Sequence, residues 1–78
     1  MKDLTDLKNK KIALLNGECI EIQTIDKNDL RTCEVSFSIG LGKFVLWFNG
    51  QLVKSSRDIG GIINEIKRIN ILFPLELA

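Results

Sequence analysis

Few residues in this chain of 78 could carry chemistry. It has no His and no Tyr, so the commonest general base, the commonest metal ligand and the phenolic acid are all missing. Cys19 and Cys33 form neither a CxxC pair nor a metal spacing, and two thiols are too few for a disulfide scaffold. Both are expected to act as small hydrophobes near the core. Asp26 and Asp29 share one polar connector, and Asp3 and Asp6 share the N-terminal lead, where turn and cap roles outweigh a paired-acid site. Gly40-Leu41-Gly42-Lys43 imitates a fragment of a phosphate loop. It runs into a strand pattern, and a phosphate cradle needs a helix N-terminus, so it reads as a hairpin turn.

A site built on carboxylates or Lys alone would need deep burial to shift a pKa, and a chain this short buries only about 60–65% of its unfolded surface. The sequence therefore predicts no enzyme, no cofactor, no metal and no small-molecule substrate. Eleven Lys and Arg against ten Asp and Glu give a net charge of +1, which provides no global pull toward nucleic acid or a membrane surface. The lead MKDLTDLKNKK lacks the apolar core of a signal peptide, and the apolar runs are too short to cross a bilayer. A soluble cytoplasmic protein is the expectation.

The elements that would position any site follow from hydrophobic spacing. Residues 1–10 read as a polar lead of about one helical turn, with Leu4 and Leu7 resting on the body. Residues 11–54 alternate with a period of two. KIALLN, Asn16-Gly17 and ECIEIQTI read as a hairpin, preferably with a three-residue bulged loop that pairs Ile12 with Ile20. DKNDLRT is a connector. In CEVSFSI, Cys33, Val35, Phe37 and Ile39 point one way, and Glu34, Ser36 and Ser38 the other. A two- or four-residue turn then brings Phe44, Leu46 and Phe48 against Phe37 and Val35. Asn49-Gly50 makes a tight hairpin into QLVK, pairing Leu46 with Val53 and Trp47 with Leu52.

Ser55-Ser56-Arg57-Asp58 has the form of a capping box, with Ser55 or Ser56 as the first residue. Ile59, Ile62, Ile63, Ile66 and Ile69 form one stripe of an amphipathic helix over 56–70. Gly60-Gly61 costs up to about 1 kcal/mol each in helix propensity, which suggests close approach to the sheet. Residues 71–78 are an apolar tail that must dock, pair at an edge or touch another chain. The fold class predicted is α+β: an antiparallel four- or five-stranded meander with one C-terminal helix on one face.

One surface then asks for an explanation. If the helix covers Phe37, Phe44, Leu46, Phe48 and Val53, the opposite face carries Val45, Trp47 and Leu52 flanked by Lys43 and Lys54. Burial of Trp47 under the lead or the tail is one reading. An interface for a protein partner or a second copy is another, because aromatics ringed by aliphatics are the usual hot-spot composition. The function predicted is a small non-enzymatic protein-binding module, an adaptor or inhibitor acting by occlusion or bridging. Single-stranded nucleic acid is the alternative, stacking on Trp47 with Lys43 and Lys54 on the phosphates.

Overall fold

A computed structural model describes residues 6–77. The order of elements is α1 (Asp6–Asn9), α2 (Lys11–Leu15), β1 (Ile20–Thr24), β2 (Thr32–Ser38), β3 (Lys43–Phe48), β4 (Gln51–Ser56), α3 (Ile59–Leu72) and β5 (Leu75–Leu77). The strands form one antiparallel sheet in the order β4-β3-β2-β1-β5. The fold is α+β, as the periodicity predicts.

The core lies between one sheet face and the helices. Ile22, Cys33, Val35, Phe44 and Leu46 contribute from the sheet, and all five residues of the isoleucine stripe contribute from α3. Leu7 and Leu14 are fully buried in the same cluster, so the lead packs on the helix side; Leu4 lies outside the described residues. The hairpin of β2 and β3 has the expected parity, with Phe37 opposite Phe44 and Val35 opposite Leu46 across a four-residue loop. The Phe37 and Phe44 rings meet edge to face, their centroids 5.0 Å apart.

Three expectations are corrected. The first is the KIALLN strand, which is helix α2. Lys, Ala and Leu favour a helix, and only Ile12 in the run is β-branched. Asn16-Gly17 therefore ends a helix and does not turn a hairpin. Gly17 N–H donates to the Leu14 carbonyl and Glu18 N–H to the Ala13 carbonyl, the paired bonds of a Schellman cap, with Gly17 at φ +97°. The predicted pairing of Ile12 with Ile20 is replaced by Val35 opposite Ile20, and Ile12 is exposed. The sheet begins at residue 20, and its fifth strand is the tail. Leu75–Leu77 pairs with β1, helped by Asn70 Oδ1, which accepts from Leu75 N–H at 2.6 Å.

The second correction is a β-bulge. Trp47 does pair with Leu52, across a turn in which Asn49 and Gly50 both have positive φ. One step further the register slips, and Leu46 faces Lys54 instead of Val53. Val53 is 41% exposed, and Lys54 moves to the helix side of the sheet. β4 is an edge strand, and an added twist with an inward-pointing charge is how such edges resist pairing with other chains.

The third concerns the start of α3. Ser55 and Ser56 belong to β4, and Asp58 is the N-cap, its Oδ1 accepting from Gly60 N–H at 3.2 Å. Ser56 Oγ accepts from Asp58 N–H at 3.2 Å, joining the strand end to the cap. Asp58→Ala is expected to lower stability by about 1 kcal/mol, read as a shift in urea midpoint at unchanged slope. No shift at all would mean that water replaces the cap. Among the described residues no helix is long and apolar enough to cross a membrane.

Candidate functional site

The sheet face turned away from the helices is left open by the described residues. Its residues follow from the registers: Glu76, Gln23 and Thr32 in one row, and Glu21, Glu34, Trp47 and Leu52 in the next. Ser36, Val45 and Ser55 form a third row, and Ser38 with Lys43 a fourth. Strand alternation alone puts these residues together, because directly paired residues share a face.

Each predicted site residue can now be placed. Trp47 is 38% exposed and Leu52 56% exposed, side by side across β3 and β4. Val45 lies on this face but is only 6% exposed, so it floors the patch and offers little area of its own. Lys43 stands at the far corner opposite Ser38. Lys54 does not belong to the site. The bulge sets it opposite the core residue Leu46, and its charge helps to lower the pKa of Glu65 on α3, behind the larger effect of the Arg68 hydrogen bond. The two lysines expected to flank Trp47 therefore stand on opposite faces of the sheet.

Among the described residues, neither segment suggested as a cover for Trp47 lies over it. Leu7 is held in the helix-side core, and the tail pairs at the opposite edge from β4, beside β1.

Glu34 and Glu21 are the residues the sequence reading passed over. Glu34 lies directly opposite Trp47, and Glu21 directly opposite Glu34. The signal was present: a four-residue loop after Ser38 that pairs Phe37 with Phe44 must also pair Glu34 with Trp47. The two ion pairs among the described residues lie elsewhere, Arg31 with Asp29 and Arg68 with Glu65.

Cys19 is exposed, and its thiol is pushed up first by partial burial and then by the negative charges of Glu34 and Glu21. Cys33 is fully buried, and burial pushes its thiol up to about 11. A thiol kept neutral in the fold stabilises it below the ordinary value of 9.0, and that contribution is lost as pH rises through about 11. Stability should therefore fall across that window more steeply for the native chain than for Cys33→Val. Parallel falls would show that Cys33 ionises freely in the folded state.

The two carboxylates of the connector between β1 and β2 are occupied locally. Asp26 Oδ1 accepts from Asn28 N–H at 2.9 Å, and Asp29 pairs with Arg31 at 3.1 Å. These acids rim a half-open cleft of about 330 Å³ walled by Ile25, Leu72, Phe73 and Pro74. The Thr24 hydroxyl beneath it donates to the Asp29 carbonyl at 2.5 Å and accepts from Arg31 N–H at 3.1 Å, so its polar groups hold the loop. Among the described residues no three potential metal ligands converge.

No family model matches this chain, and comparison with curated proteins and with solved structures finds no match.

Proposed function

We propose that this chain is a small protein-binding module, an adaptor or inhibitor without catalytic activity, working in the cytoplasm by occlusion or bridging through the open face of its sheet. The observation that carries the reading is Trp47, 38% exposed beside Leu52 on the face opposite the helices. A large aromatic costs apolar exposure in the free protein, and fixed on a central strand it loses little conformational entropy when a partner covers it. Trp is also the residue most enriched among interface hot spots.

Trp47→Ser tests this directly. The variant is expected to keep the native circular dichroism and to lie within about 1 kcal/mol of the parent, because it removes no core contact. Affinity capture with the parent, Trp47→Ser and Leu52→Ser should yield proteins retained by the parent and lost from both folded variants. The same proteins retained by all three would remove this face from consideration, and an unfolded Trp47→Ser would make Trp47 a packing residue.

A further inference from the structure

Resting on the reading of the open face as a docking surface, the geometry points to a particular partner chemistry: we infer that the occupant is a basic protein segment, one that lays an arginine or lysine across Trp47 toward Glu34. The two residues are directly opposed on β2 and β3, which sets their Cβ atoms about 5 Å apart. A guanidinium stacked on an indole is the most favourable cation–π pairing, and the same group can reach a carboxylate at that distance with its planar fork. One side chain would engage both neighbours at once.

The wider face has the matching charge. Glu21, Glu34 and Glu76 lie on it, and Lys43 at the corner is its only cation among the described residues. Glu21 and Glu34 are directly opposed, a like-charge cross-strand pair that destabilises the free sheet. Neither takes part in the ion pairs formed among the described residues. A cationic partner relieves that repulsion on binding, and Leu52 beyond Trp47 supplies the apolar contact next to it.

The same charges argue against the other occupants. A nucleic-acid strand stacked on Trp47 would bring phosphates beside Glu34, with Lys54 on the wrong face to offset them. Two copies meeting face to face would bring both sets of Glu21, Glu34 and Glu76 into one interface, against Lys43 alone from the described residues of each.

Three synthetic peptides of equal length provide the test, alternating Arg-Val, Ser-Val and Glu-Val. Trp47 is the only Trp in the chain, so its emission reports occupancy directly, and anisotropy of labelled peptide serves for Trp47→Ser. The Arg-Val peptide is expected to bind, with affinity falling as salt rises. Glu34→Lys should weaken it by about tenfold, and Trp47→Ser should abolish it. Glu34→Gln, which keeps the shape of the side chain, should weaken it less than Glu34→Lys and serves if the reversal does not fold.

If the Ser-Val or Glu-Val peptide binds as tightly as Arg-Val and needs Trp47, the docking face stands and the charge inference fails. If Arg-Val binding ignores Trp47→Ser, or no peptide binds, both fail. Quenching by oligothymidylate at low salt would replace the basic segment with nucleic acid. A dimer that forms as concentration rises, and disappears in Trp47→Ser, would replace it with a second copy.

Discussion

Phe44→Ala should cost about 3–5 kcal/mol, a large share of what a domain of this size has to lose. At about 0.05–0.15 kcal/mol per residue, the whole chain is stable by roughly 4–12 kcal/mol. Phe44 is 1% exposed, meets the Phe37 ring edge to face, and belongs to the core cluster packed under α3. Truncation loses the transfer energy of the ring and opens a cavity that a core one layer thick fills only by collapse. Trp47 sits on the same strand three residues away and on the other face, 38% exposed and outside the core cluster, so truncation to Ser opens no buried cavity. Urea unfolding of the two variants should separate them by at least about 2 kcal/mol. Equal losses would mean that the two faces of the sheet are equally covered.

Gly61→Val is the second large effect, with an expected loss of about 2–3 kcal/mol. α3 follows β4 after only Arg57 and Asp58, so its first turn lies against the end of the strand. A Cβ on Gly61 would stand 2.6 Å from Ser56 Oγ and 3.1 Å from Ser56 Cβ. The hydroxyl cannot simply turn aside, because it accepts from Asp58 N–H at the cap. Gly61→Ala sets the same contact against a propensity gain of at most about 1 kcal/mol, so it should fall slightly below the parent. Adding Ser56→Gly should recover part of the loss, with a coupling of about 1 kcal/mol in the double-mutant cycle. If Gly61→Ala instead stabilises the protein by the full propensity gain, the helix has room to move off the strand.

Much of this could be read locally. The isoleucine stripe marks α3, although the helix starts three residues later and runs two further than 56–70, because Asp58 and not Ser55 or Ser56 caps it. The alternation in β2 and β3 and the turn between them set which side chains face the core. Asn-Gly occurs twice, and the dipeptide demands positive φ at its glycine in both places. At Asn49-Gly50 that demand is met by a hairpin, and at Asn16-Gly17 by a helix cap. The flanking residues discriminate: aromatic and β-branched around the hairpin, Lys, Ala and Leu before the cap. The dipeptide alone predicts a hairpin there, and the helix formers before it make residues 11–15 a helix. Cys19 was likewise expected near the core; it is exposed, because it lies just outside β1 and next to the open face.

The sequence by itself determined the fold class, the core face of β2 and β3, the covering helix and the placing of Trp47 on the far face, but not whether that face is covered. These are short-range consequences of side-chain period, turn chemistry and capping, each decided within a few residues. Only the tertiary structure decided the identity of the fifth strand, the bulge at Val53, and with it the side on which Lys54 stands. A bulge adds one unpaired residue, and the cost of that step depends on the twist of the edge strand and on α3 across it, neither of which a local pattern contains. That slip removed one of the two lysines expected beside Trp47, while the other strand pairings bring Glu21, Glu34 and Glu76 onto the same face, so three carboxylates stand there against one cation among the described residues.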